Sequence, residues 1–322
     1  MGWYSYHIYY YNNAFVEDLI SKVISNQLKK MVKEGDCSSW FYLRFFEYGP
    51  HIRLRIKDFK GDKTHLLDPI KEFIHNYPSV MIDYKSLKSP YGQDLNSTDS
   101  KDFIEEGNIL EVPYIPEYQK YGGEDAISYS ESFFHVSSKI ASLLIDKTKY
   151  DFNKRFTFTL DLMLLTALSL DLPIKKLPSF FYHYAKFWEK YMEPEMKKKV
   201  SNKAQQLFEK NKEVITKRVY TIIHSYEGNK TPINEIHDIW KVNVTNLAND
   251  YKNSFNNGKL IQPSTGKIAR NESEFLDSIF SICFSHIHMT NNRLGLSQYE
   301  EFYLGLFIYL AFKQMGPKIG VV

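Results

Sequence analysis

Three short stretches of the chain hold the residues best suited to bind an anion or move a proton. The first runs from Trp40 to Ile56, WFYLRFFEYGPHIRLRI. Its pattern predicts a β-hairpin turning at Tyr48-Gly49-Pro50. Side chains alternate along a strand, so Ile52, Leu54 and Ile56 share one face and His51, Arg53 and Arg55 share the other. The apolar set must face a core. The basic set is then either the wet face of an antiparallel sheet or an anion site, since the planar guanidinium fork suits carboxylates. The second stretch, Val112 to Asp125, is VPYIPEYQKYGGED. Its prolines argue against a central strand. Glu117 and Lys120 would lie side by side on one helical turn, and Gly122-Gly123 turns into the next helix. A loop closed by a surface ion pair accounts for it equally well. The third, Ser285 to Gly295, is SHIHMTNNRLG. It is read as the end of one helix and the turn to the last. His288 is either a proton-transfer group or a structural residue near a helix end.

Other chemistries lack their signatures. His286 and His288 are two apart and do not share a helical face, and Cys37 and Cys283 show no metal spacing, so no metal site is expected. There is no phosphate-binding glycine loop, GxSxG or zinc-helix motif. Lys and Arg number 41 against 38 Asp and Glu. With a net charge of only +3 no nucleic-acid coat is expected, and an anionic partner must meet a local cluster. Two distant cysteines fit a reducing compartment. The N-terminus has no secretion-signal pattern, and the apolar stretch Phe156 to Leu172 is short for a membrane span and contains Asp161 and Asp171. A cytoplasmic protein is the expectation.

These stretches need elements to hold them. Trp3 to Tyr11 predicts a strand, Ala14 to Val32 a helix, Ser38 to Ile56 the hairpin and Lys63 to Asn76 a helix. Val80 to Tyr84 and Ile109 to Tyr114 predict strands, with a polar loop over Lys85 to Gly107 between them. From Gly123 onward the pattern is helical: Glu124 to Asp146, Lys154 to Leu170, Ser179 to Glu193, Met196 to Tyr226, Ile233 to Asn253, Glu272 to Met289 and Gln298 to Gln314. Asn271 with Glu274, and Ser297 with Glu300, are capping-box starts for the last two. The fold class read from this is α+β: an N-terminal mixed sheet with helices on one face, then a largely helical C-terminal part. The division expected is 1–122 for the sheet part with the basic hairpin and 123–322 for the helical part.

Taken in order, the aromatic strand after Trp3, WFYLRFFEYGPHIRLRI, PEYQKYGG leading into a helix, and HMTNNRL near the C-terminus resemble the C-terminal elimination domain of class I lantibiotic dehydratases. They resemble equally the stand-alone thiopeptide biosynthesis proteins built on that domain. The resemblance spans nearly the whole chain. It implies an enzyme acting on a ribosomally made precursor peptide, leader plus modified core, alongside other enzymes of the same pathway, without a cofactor, membrane or direct nucleic-acid contact.

In that family the domain removes glutamate from a glutamylated Ser or Thr and leaves a dehydroamino acid. The resemblance assigns catalytic roles to His288, Glu117, Arg53, Arg55 and Lys120, and substrate contacts to Arg44, His51, Tyr121, Asn292 and Arg293. Two departures stand out. The family's usual Arg before YGG is Lys120 here, and its usual Asp-Ser in the following helix is Val136-Ser137. A related branch, the pyridine synthases, joins two dehydroalanines in a formal aza-[4+2] cycloaddition and releases the leader. The departures lean the sequence reading to that branch. Glutamate elimination is the alternative, and a non-catalytic leader-binding scaffold is a third reading.

Overall fold

The computed structural model describes residues 2–80, 102–227 and 234–316. Within these the N-terminal third builds one four-stranded sheet from β1 (Trp3–Tyr9), β2 (Ser39–Phe45), β3 (His51–Lys57) and β4 (Ile109–Glu111), in the order β2-β3-β1-β4. The predicted hairpin is present, with Phe45 opposite His51 and Ser39 opposite Lys57. The sheet expected to be mixed is antiparallel in all three pairings. β4 stops at Glu111, short of the predicted Tyr114, because Pro113 has no N–H for a ladder. Of the strand expected over 80–84 and the loop over 85–107, residues 81–101 lie outside the described residues.

The helix predicted from Ala14 is α1 (Val16–Asp18), a π-helical stretch over Leu19–Ile24, and α2 (Ser25–Glu34), which ends at Gly35. A 3.6-residue periodicity does not reveal the wider turn. α3 (Lys63–Asn76) starts at Asp62, whose carboxylate accepts from the Thr64 N–H. On the sheet, Ile8, Tyr6, Leu54, Ile56, Trp40 and Tyr42 are buried, as are Leu28, Leu66 and Ile70 of the helices.

The remaining helices are α4 (Glu124–Thr148), α5 (Phe152–Ser169), α6 (Leu177–Lys190), α7 (Pro194–Glu227), α8 (Glu235–Asn256), α9 (Glu272–Leu294) and α10 (Gln298–Met315). The α+β class, sheet first and helices after, is as read from the sequence. Both expected caps form: Asn271 Oδ1 accepts from the Glu274 N–H, and Ser297 with Glu300 makes a reciprocal capping box. α9 runs five residues beyond its predicted end at Met289, so HMTNNRL lies on helix up to Leu294 rather than in a turn.

The described residues form two compact units. Unit 1 takes the described residues within 1–116, 134–155 and 292–295; unit 2 takes those within 117–133, 156–291 and 296–322. Among the described residues no helix is long and apolar enough to cross a membrane.

Candidate functional site

In unit 1 the pleat puts Arg53 and Arg55 on one sheet face beside His7 of β1, which sits opposite Arg53 in the register. This face is only partly wet. Arg53 keeps 22% exposure, but His51 and Arg55 are 4% and 7% exposed, which sets aside the solvated-face reading for those two. The rings of His7 and His51 stack at 4.7 Å, and the Tyr9 ring also lies 4.7 Å from that of His51. His51 Nδ1 lies 2.9 Å from the Gly49 carbonyl, and its Nε2 accepts from Arg53 Nε at 3.2 Å. The ring is thereby held neutral with its proton on Nδ1. Burial first, then the two arginines, push His7 down to about 4. Burial, His7 and the arginines push His51 down to about 3 against the opposing pull of Gly49.

Arg53 donates to Glu47 at 3.2 Å, and its guanidinium lies 3.3 Å from the Phe45 ring centroid. Arg55 is different. Its guanidinium donates to the Leu54 carbonyl at 3.2 Å, lies 3.4 Å from His7 Nε2 and stands 5.6 Å over the Tyr114 ring. No carboxylate pairs with it among the described residues. Burial and Arg53 lower its pKa to about 10, so it stays charged at neutral pH. A buried cation without an acid is costly.

Arg44, Asn292 and Arg293 come together elsewhere in unit 1, on the outer edge of β2. The outward backbone groups of this edge strand fall on every second residue. The Trp40 N–H and carbonyl meet His135 Nδ1 at 3.1 and 2.9 Å, and the Tyr42 N–H donates to Ser138 Oγ at 3.2 Å. Arg44 completes the series: its N–H donates to Asn292 Oδ1 at 2.8 Å and its carbonyl accepts from Asn292 Nδ2 at 2.9 Å. The side-chain amide replaces a neighbouring strand. Arg293, 1% exposed, donates to Ser138 Oγ, and its carbonyl accepts from the Tyr42 hydroxyl. Gly295 follows at φ 79°, where a Cβ would meet the Arg44 guanidinium at 2.9 Å. This geometry engages Asn292 and Arg293 in closing an open sheet edge.

In unit 2, Gln119–Tyr121 forms one 3₁₀ turn that sets Lys120 Nζ 3.1 and 3.2 Å from the two Glu117 oxygens, a half-exposed ion pair. Gly122 and Gly123 follow at φ 92° and 106°. A Cβ on Gly122 would meet Leu260 at 2.8 Å and one on Gly123 would meet Ile261 at 2.7 Å, so only glycine lets this turn seat. Tyr121 is buried, its ring 5.2 Å from that of His286. His286 Nε2 is 3.1 Å from the Tyr251 hydroxyl, which is 2.6 Å from Ser130 Oγ. These contacts engage His286 through its Nε2.

His288 belongs to a different network in unit 2. Its Nδ1 lies 2.9 Å from Glu301 Oε1, its ring is 4.8 Å from that of Trp188, and its side chain keeps 19% exposure while Glu301 has none. The other Glu301 oxygen accepts from Asn291 Nδ2 at 3.0 Å and from the Tyr184 hydroxyl. Burial and the Glu301 carboxylate push the Tyr184 phenol well above its usual value, so it remains a donor.

Two participants escaped the sequence reading. His7 sits on the Trp3, Ser5, His7, Tyr9 face of β1, which strand alternation alone places beside the arginines once the strands are paired. Glu301 was hidden by its neighbour Glu300 in the capping box. Its signal is an acidic residue in register with Leu304, Gly305 and Ile308, the buried stripe of α10. Among the described residues no group of three or more His, Cys, Asp or Glu is placed to hold a metal ion.

Comparison with known proteins gives a consistent result. No curated protein sequence matches the chain. Among solved structures the fold is similar to that of TsrL, at 18% identity and TM-score 0.71, covering 97% of this chain and 95% of that one. It is similar to TbtD, a pyridine synthase from thiomuracin biosynthesis, at 15% identity and TM-score 0.71, covering 100% of each. It is also similar to part of MibB, a tRNA-dependent lantibiotic dehydratase from Microbispora sp. 107891, at 15% identity and TM-score 0.52, covering 98% of this chain but 28% of that one. At these identities the likeness speaks for the fold. The family model for the lantibiotic biosynthesis dehydratase C-terminal region matches residues 3–312, and the chain belongs to that family.

Proposed function

We propose that the protein removes glutamate from glutamylated Ser or Thr residues of a precursor peptide. The observation that carries this reading is Arg55, a buried, charged guanidinium with no acidic partner among the described residues. Glutamate elimination needs a cation for the substrate's carboxylates; a cycloaddition of two neutral dehydroalanines does not. In the elimination a base takes the Cα proton, the C–H electron pair becomes the Cα=Cβ bond, and the Cβ–O bond breaks with glutamate leaving as a carboxylate. His288 is the candidate acid–base group, and Arg53 and Arg55 are the candidate carboxylate holders. Lys120 keeps the charge of the family's arginine and is paired with Glu117. The anion seat thus outweighs the Lys120 and Val136 departures, which lean toward cyclisation.

Pyridine formation is the second reading. The similarity to TbtD over the full length of both chains favours it. Mass spectrometry separates the two with two defined peptides, one carrying a glutamylated Ser and one carrying two dehydroalanines behind a leader. Loss of glutamate from the first supports elimination. Loss of leader and water from the second, with the first unchanged, supports cyclisation and removes the role given to Arg55. Binding of the leader with neither conversion supports a scaffold.

A further inference from the structure

We infer that Glu301 is a positioning residue that fixes the tautomer of His288, with Tyr184 and Asn291 holding Glu301 in turn. The inference rests on His288 being the acid–base group of the reading above, but its geometry lies wholly in unit 2. α10 carries Glu301 on a mostly apolar buried face, one turn after the buried Gln298 and one turn before Leu304 and Gly305, and leaves the carboxylate no exposure to water. A carboxylate that far from solvent must find donors in the protein. It finds three: His288 Nδ1 on one oxygen, Asn291 Nδ2 and the Tyr184 hydroxyl on the other. Asn291 Nδ2 also lies 3.1 Å from the Tyr184 oxygen, which closes the ring of contacts.

Each member constrains the next. Asn291 presents an NH₂, which only donates. The Tyr184 phenol is held far above neutrality and also donates. Glu301 therefore accepts on both oxygens and is anionic. An anionic acceptor beside Nδ1 requires a proton on that nitrogen, so neutral His288 carries its lone pair on Nε2. The same negative charge stabilises the imidazolium that forms when Nε2 takes a proton. An acid-held imidazole of this kind is the arrangement that makes histidine an effective general base. Trp188, whose ring lies 4.8 Å from that of His288, confines the imidazole plane. Asn291 and His288 lie three residues apart on α9 and so share a helix face. This gives the HMTNNRL stretch a division of labour: His288 and Asn291 serve the carboxylate, while Asn292 and Arg293 serve the β2 edge.

The substitution Glu301→Gln tests this with little change of volume. The glutamine can satisfy Tyr184 and Asn291 only by turning its oxygen toward them. Its NH₂ then faces His288 Nδ1 and donates, which moves the imidazole proton to Nε2. Long-range proton–nitrogen spectra of histidine-labelled protein report the tautomer directly, with His288 assigned by the loss of its signals in His288→Gln. The wild type is expected to carry the proton on Nδ1 and Glu301→Gln on Nε2. With a glutamylated peptide, Glu301→Gln should lower kcat about a hundredfold with KM within about twofold, and should move the acid limb of the pH profile. Tyr184→Phe, which removes one donor and keeps the ring, should lower kcat several-fold with the tautomer unchanged. An unchanged His288 tautomer and an unchanged pH profile in a folded Glu301→Gln protein would overturn the assignment. If the wild type releases no glutamate, the elimination reading falls while the nitrogen spectra still decide the role of Glu301.

Discussion

The basic sheet face of unit 1 and the Glu301 network of unit 2 solve opposite electrostatic problems. Glu301 is a buried anion with three donors, and every neighbour agrees on where the protons lie. Arg55 is a buried cation with a backbone carbonyl, a histidine and an aromatic face but no carboxylate among the described residues. A saturated ion holds geometry. An unsaturated one stores the capacity to bind, at the expense of stability. The two neutral histidines sharpen the contrast: they cannot supply the missing negative charge, and their depressed basicity keeps them from adding more positive charge at neutral pH.

The largest effect should come from breaking the unsaturated side. Arg55→Met keeps length and apolar bulk. A charge-assisted hydrogen bond contributes about 1.5–3 kcal/mol, so glutamate release should fall roughly ten- to a hundredfold. The melting temperature should stay level or rise, because an unpaired buried charge has been removed. Calorimetry and product assays on the same preparation read both. A marked fall in melting temperature with turnover retained would make Arg55 a structural residue and dissolve the contrast.

The next effect belongs to a saturated site. Asn292→Ala orphans the Arg44 N–H and carbonyl, at about 1–3 kcal/mol each where buried. Denaturant unfolding should show a loss of about 2–4 kcal/mol, and KM should hold near its wild-type value. A raised KM at unchanged stability would instead return Asn292 to the substrate.

What was legible follows from what repeats. The hairpin, its basic face and seven later helices carry periodicities of 2 or 3.6, and apart from the C-terminal end of α9 they stand close to where those periodicities put them. The α+β class follows. The burial of His51 and Arg55 was not legible, because it depends on which residues cover that face, not on the strand itself. The edge closure of β2 joins Trp40, Tyr42 and Arg44 to side chains roughly 95 and 250 positions away, and nothing local marks such pairings. Asn292 was singled out as a motif residue, yet its partner is a backbone. Glu301 needed the α10 stripe to be read for its exception instead of its rule.

Acidification probes the histidines of the unsaturated face. His51 has its folded pKa near 3, below the ordinary value of 6.5. As pH falls through 6.5 the unfolded chain takes up a proton that the folded chain refuses. The stability contribution is therefore complete above about pH 6.5 and is lost as pH falls from there toward 3. The slope is at most about 1.4 kcal/mol per pH unit for one group. His7 acts in the same direction down to about 4. His51→Gln should flatten the fall in melting temperature between pH 6.5 and 4. A parallel curve for the variant would show that His51 does not drive it.

The smallest effect should be at Lys120. The Glu117–Lys120 pair is a half-exposed contact within one turn, and such pairs contribute about 0.2–1 kcal/mol. Lys120→Arg keeps the charge and replaces the ammonium with a planar fork, so stability should move by less than about 0.5 kcal/mol. Function separates the readings more finely than stability does. If a carboxylate has to be held, the arginine fork holds it at least as well as an ammonium, and glutamate release should be maintained or rise a few-fold. If two dehydroalanines are joined, no glutamate has to be held, and the longer fork should leave cyclisation level or reduce it. The assay is a comparison of initial rates on the two defined peptides, wild type against Lys120→Arg. A clear loss of glutamate release in the arginine variant, with Glu117 still able to pair, would mean that the ammonium itself is required, and Lys120 would then no longer stand in for the family's arginine.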